Sequence, residues 1–143
     1  MSDKPIMDLE TWQQDFIDTA LGSTYMRWTG CELVRLEPGL AVIRVRPTEG
    51  IITPFGTVNG AVIGANLEFP AAFSLVSTLE KGQTPVTNDI FIQHLKGVPA
   101  TAEILFEGRL LRRGRTMAWA ESQATVDGKP HAIARITKTI LSA

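Results

Sequence analysis

The chain has 143 residues, 44% hydrophobic and 20% charged, with a formal net charge of −1. That suits one domain large enough to bury a core, and it excludes both a disordered chain and the basic excess of a nucleic-acid binder. Cys31 is the only cysteine, which excludes an intrachain disulfide and a thiolate metal cluster and fits a reducing, cytoplasmic setting.

The first residues, "MSDKPIMDLETWQQ", lack the basic start and continuous apolar core of a signal peptide. The longest uncharged stretch before Glu68, Gly50 to Leu67, contains four glycines, Pro54, two asparagines and two threonines, which makes a poor membrane span. Without repeats, low-complexity tracts or a linker, residues 1–143 read as a single domain, with residues 1–27 as an N-terminal covering segment.

From about Asp8 to Ala20, Leu9, Trp12, Phe16 and Ile17 recur at helical spacing, predicting a short amphipathic helix that covers something. "CELVRL", "EPG" and "LAVIRVR" predict two strands and a turn, with Ala41, Ile43 and Val45 on one face and Arg44 and Arg46 on the other. The run from about Val58 to Leu79 is too long for a strand and too uniformly apolar for a surface helix, so it predicts a helix buried by a sheet. After it, "VTNDIFIQHL", "TAEILFEGRLL", "RTMAWAESQATV" and "HAIARITKTIL" alternate with period two and predict four more strands. Asp127-Gly128 is a hairpin signal, and "RRGR" places Gly114 where a turn or bulge would need a positive φ. Short turns make sequential strands antiparallel, so the expected architecture is α+β: a hairpin, a central helix and an antiparallel meander curled around it.

Glu68 is the one charge between Gly50 and Leu79. A carboxylate buried without a partner is costly, so its presence needs a reason. At helical spacing its neighbours are Ala61, Gly64, Ala65, Ala71 and Ala72, a stripe of small residues that lets a ligand or a second backbone approach. The structural alternative is a packing seam with Glu68 neutral or paired to an arginine. At the start of the same helix, Asn59, Gly60 and Ala61 offer first-turn amides to a carbonyl oxygen gathering negative charge.

With "TVNGAVIGANLE", "VTNDIFIQHLK" and "RLLRRGRTMAWAESQATVDGKPHAIARITKTI" in that order, residues 28 to 141 resemble the hotdog-fold acyl-CoA thioesterases of the phenylacetate-degradation type. The resemblance implies an antiparallel sheet wrapped around a central helix, with sites at the boundary of a side-by-side dimer or tetramer. It implies Glu68 as nucleophile or general base, the Gly60 N–H as oxyanion donor, and Thr87 as a hydroxyl that positions water. It also implies Lys96, Arg112, Arg113 and Arg115 as contacts for the phosphates of CoA, which enters as part of the substrate with no separate cofactor. Two departures stand out. The family's histidine is Asn59 here, and Pro70 should kink or break the helix beside Glu68. Thr53 stands where some relatives carry a Gln or Asn.

His94 reads as a half-exposed strand-end residue and His131 as solvent-facing, so no metal site is expected. Arg109, Arg112, Arg113 and Arg115 are either a solvated turn or a phosphate anchor. Ser74 and Ser77 lack the flanking glycines of a nucleophile elbow. Three functions fit: an acyl-CoA thioesterase whose acyl group enters an apolar tunnel, a non-catalytic acyl-CoA or lipid-binding hotdog protein, and a hotdog dehydratase, which would need a His–acid pair not evident here.

Overall fold

The computed structural model describes residues 4–143. Helix α1 (Thr11–Leu21) starts at a capping box in which the Gln13 side chain accepts from the Glu10 amide at 3.0 Å. A second, unforeseen helix α2 (Thr24–Thr29) is capped by Ser23 and stopped by Gly30 in the left-handed conformation. The hairpin of β1 (Cys31–Glu37) and β2 (Leu40–Val45) turns at Gly39, φ 77°. The central helix α3 spans Gly60–Val76, followed by β3 (Gln83–His94), β4 (Ile104–Arg113), β5 (Met117–Val126) and β6 (Lys129–Ser142).

The six strands form one antiparallel sheet in the order β1-β2-β4-β5-β6-β3, and α3 packs across its inner face. The core lies between them: Leu67, Phe73, Phe106, Ile104, Ile43 and Ile136 are almost completely buried. Helix α1 closes one end of α3, where Trp12 and Phe16 pack against Leu75, Val76 and Leu79. There the Gln13 side chain donates to the Val76 carbonyl at 3.0 Å, satisfying one of the acceptors a helix C-terminus leaves open.

Three expectations need correction. The meander has three strands, β4-β5-β6, because β3 crosses to the far edge and pairs only with β6. The link after β3 makes no tight turn. It runs back beneath the start of α3, where Val58 donates to Val98 and Ala100 to Gly56. Gly114 is not among the glycines with positive φ, whereas Asp127 and Gly128 (φ 50° and 74°) make the expected left-handed hairpin turn. Finally, of the kink or break expected at Pro70, the break does not occur: α3 continues through it. Beside it Gly108 presents no side chain: a Cβ there would lie 2.2 Å from the Pro70 carbonyl carbon, so this glycine lets the proline turn settle against β4.

Candidate active site

The sheet covers most of α3 but leaves Ala61, Ala65 and, in part, Glu68 uncovered. Gly64 packs inward, 3.0 Å from Ile92 Cδ1 measured from an ideal Cβ position, and Ala71 and Ala72 are buried. The small stripe is therefore split: its first half and Glu68 form an open strip, and its second half is core.

Strand β3 forms the other wall. Its register shifts between Thr87 and Asp89, so Asn88 is an extra, bulged residue. Before the bulge Thr87 stands opposite Lys138; after it Ile90, Ile92 and His94 stand opposite Ile136, Ala134 and Ala132, and all four partners are buried on the inner face. Without the bulge, Thr87 and Ile90 would point to opposite faces. With it, the row Thr87, Ile90, Ile92, His94 faces the helix row that runs back from Glu68 to Gly60.

At one end of this cleft sits a carboxylate clamp. The Thr87 hydroxyl donates to Glu68 Oε1 at 2.5 Å, the Lys138 ammonium donates to the same oxygen, and Lys138 Nζ also donates to Thr87 Oγ1 at 2.7 Å. Lys138 is 3% exposed and the Glu68 side chain 22%. Every contact falls on Oε1; among the described residues Oε2 has no protein partner, yet it is not a buried orphan atom. A carboxylate whose charge is balanced through one oxygen keeps the other available to attack a carbonyl or to take a proton from water.

The other end is the start of α3. The Asn59 side chain accepts from the Ala61 amide at 2.8 Å, the Asn59 amide donates to Ile51, and the Asn59 carbonyl takes the Val62 and Ile63 amides. The three-amide expectation is thus corrected. Asn59 and Ala61 hold the turn, and the Gly60 N–H is the first-turn donor left without a protein acceptor among the described residues. The His94 ring lies over it, 3.5 Å from an ideal Gly60 Cβ, in a pocket of about 370 Å³ lined also by Thr57, Ile63, Lys96 and His131.

Glu68 and Thr87 meet, but Glu68 and Gly60 do not. Eight residues separate them on one helix, about 12 Å along its axis. Lys96 shares the Gly60 pocket, whereas Arg112, Arg113 and Arg115 sit around the far turn, where Arg113 Nη2 donates to Gln83 Oε1 at 2.9 Å. The two basic groups are separated by the 12-residue length of β3, roughly 36 Å. Arg109 pairs with Glu107 at 3.2 Å on the outer face, and Thr53 is bonded to Thr57 at 2.8 Å. His131, expected in solvent, is buried with Nδ1 3.0 Å from the Lys129 carbonyl; the register shift between Ala124 and Thr125 makes it an extra residue of β6, outside the alternation that a place after a turn would suggest.

Sequence reasoning missed Lys138, whereas His94 is the exposed residue at the end of β3 that it expected. Lys138 had a signal in parity. Lys138 occupies the same phase of β6 as Ala132, Ala134, Ile136 and Ile140, the buried row, so a lysine there requires an inward partner.

A single antiparallel sheet wrapped on one long central helix, with a carboxylate on that helix, defines the hotdog architecture. The sequence model of the thioesterase superfamily matches residues 55–129, and the chain belongs to that family of thioester hydrolases. Among solved structures it is similar to a thioesterase from Haemophilus influenzae (TM-score 0.83, 19% identity, 93% of each chain covered). It is also similar to a phenylacetic acid degradation-related protein from Ralstonia eutropha (TM-score 0.77, 25% identity, 87% of this chain and 98% of that one). A Streptococcus mutans protein solved with acetyl-CoA aligns with TM-score 0.72 and 21% identity over 78% of this chain and 89% of that one. No curated protein matches significantly. Among the described residues no helix is long and apolar enough to cross a membrane.

Proposed function

We propose that the chain is an acyl-CoA thioesterase that works as a two-fold assembly, and the observation that carries this is the Glu68 carboxylate clamped through Oε1 with Oε2 left open. In this reading Oε2 attacks the thioester carbonyl or takes a proton from the attacking water. The carbonyl oxygen gathers charge against the Gly60 N–H, the thiolate of CoA leaves, and water completes the carboxylic acid.

One chain does not supply both groups to one carbonyl. Reacting atoms must lie within about 3.5 Å, and the helix separates Glu68 from Gly60 by about 12 Å. A two-fold axis beside Gly64 resolves this, because residues 60 and 68 lie four positions either side of it: Glu68 of one copy then faces Gly60 of the other. Small residues at 61 and 65 permit that close approach. Strand β3 supports the same symmetry, since its outer edge is unpaired over 12 residues and Phe91 near its middle is 63% exposed. An antiparallel β3–β3 contact would also bring Lys96 of one copy toward the Arg112–Arg115 turn of the other, giving the phosphates of CoA one basic mouth. The acetyl-CoA held by the Streptococcus mutans relative agrees with this ligand class.

A second reading, an acyl-CoA-binding protein without turnover, draws on Asn59, whose side chain caps the helix instead of presenting a ring to substrate. Hydrolysis of short, medium, long and aryl acyl-CoAs by the wild type and Glu68→Gln, followed by thiol release, separates them. Turnover of one class that drops by orders of magnitude in the folded variant supports the thioesterase. Binding without turnover in both proteins selects the second reading.

A further inference from the structure

We propose that Lys138 is a positioning residue for the thioesterase reaction, holding the Glu68 carboxylate aimed; this rests on the thioesterase reading above. Lys138 stands 70 residues from Glu68 in sequence and reaches it from β6, on the inner face, behind the cleft. At 3% exposure it does not touch a ligand lying in the open strip, so it acts through the carboxylate.

The surroundings give Lys138 this task alone. Helix α3 contributes no charge besides Glu68. On β3 the neighbouring Asp89 lies past the bulge on the outer face, where it accepts from Thr137 at 2.6 Å. On β6 the nearest arginine, Arg135, points outward to Glu121 at 3.3 Å. Lys138 is therefore the one cation against Glu68 among the described residues, and the only other group on Oε1 is the neutral Thr87 hydroxyl.

The geometry is a closed triangle. Lys138 donates to both Glu68 and Thr87, and the Thr87 hydroxyl in turn donates a hydrogen bond to Glu68. Two of the three ammonium donors are used, and the carboxylate plane is fixed because the ammonium and the hydroxyl converge on one oxygen. That leaves Oε2 as the only oxygen whose lone pairs are open to an incoming carbonyl or water. Removing the ammonium leaves a single hydroxyl contact, about which the carboxylate turns freely.

The test is a kinetic and thermal comparison of wild type, Lys138→Met, Lys138→Arg, Glu68→Gln and the Glu68→Gln/Lys138→Met double variant. With an acyl-CoA the wild type turns over, Lys138→Met should lower kcat on the order of 100-fold with KM changed less than about threefold, the pattern of a misaimed group rather than a lost contact. Lys138→Arg, which keeps the charge and the donors, should recover at least a tenth of the wild-type rate. In the double variant the midpoint loss should be clearly smaller than the sum of the two single losses, because the pair stabilises as a unit.

If Lys138→Met lowers the melting temperature while kcat of the folded enzyme stays within about threefold of wild type, the lysine is only structural and the proposal is overturned. Additive melting shifts overturn it too, since the two groups then do not act on one another. The melting cycle needs no substrate. If it shows coupling while the wild type hydrolyses no member of the panel, the thioesterase reading falls and the lysine's role in catalysis falls with it, leaving the pair as a coupled structural contact.

Discussion

Gly108→Ala is expected to destabilise the protein well beyond an ordinary glycine substitution. An added Cβ would lie 2.2 Å from the Pro70 carbonyl carbon, 2.4 Å from the Ala71 nitrogen and 2.5 Å from the Pro70 oxygen, all backbone atoms of α3. Ordinary contacts need about 3.5 Å or more, so the helix and β4 must part by about 1 Å. Neither side yields easily, because α3 is packed against β2, β4 and β5 together. Overpacking of this kind costs about 3 kcal/mol, near the top of its usual range. For a chain of this size that lowers the melting temperature by about 9 °C. Gly56→Ala is the control. It has a positive φ of 76° but nothing within 4 Å, so it carries only backbone strain, about 1 kcal/mol. Circular dichroism melts of the two variants under identical conditions give the comparison. A Gly108→Ala loss no larger than that of Gly56→Ala would refute the claim that this glycine accommodates the proline turn. Because Glu68 lies two residues before Pro70, turnover per folded molecule should fall as well.

The ion pair should be asymmetric when broken. Glu68→Ala leaves the Lys138 ammonium, 3% exposed, with only the Thr87 hydroxyl, whereas Lys138→Met leaves a carboxylate that is 22% exposed; the first should cost about 3 kcal/mol and the second less, read by urea unfolding, and the reverse order would contradict the burial argument. Burial pushes the Cys31 thiol up, against a smaller opposing effect of its hydrogen bond with Thr29 at 3.0 Å. Since the thiolate is the reactive form, alkylation by iodoacetamide should be slower than that of an unhindered thiol and still accelerating through about pH 9, and a rate that levels off near pH 8 would contradict it.

The six strands, α1 and α3 were legible and the six-residue α2 was not, because period-two strands and a long helix with a single charge leave strong traces in sequence. Glu68 stood out for the same reason: a charge is conspicuous where none else occurs. What could not be read was which strand lies beside which. The turn after β3 looks no different from a hairpin link, yet β3 belongs beside β6, and that pairing is decided by residues about 40 to 60 positions apart. The bulge at Asn88 leaves no signature in residue type, so the change of phase that puts Thr87 and His94 on one face was invisible. Lys138 was overlooked for a different reason. A lysine in an alternating strand is read by habit as solvent-facing, although its parity with Ile136 and Ile140 places it inside. The alternative of Glu68 paired to an arginine was close in kind, since the partner is a cation, but a lysine supplies it.

Strand order also sets a timetable. Strand β3 finds its only sheet partner in β6, and Glu68 finds its counter-charge on that same strand. During synthesis both must wait until the segment from Lys129 to Ser142 has been made, although each was translated some fifty to seventy residues earlier. Until then the chain holds a hairpin, an apolar helix with an unanswered carboxylate, and a long strand with two open edges, the kind of surface that invites association with the wrong partner. Strand β6 is the keystone: one insertion between β5 and β3 closes the sheet and completes the carboxylate clamp in the same event, so a molecule that has not finished folding does not carry a half-built active site.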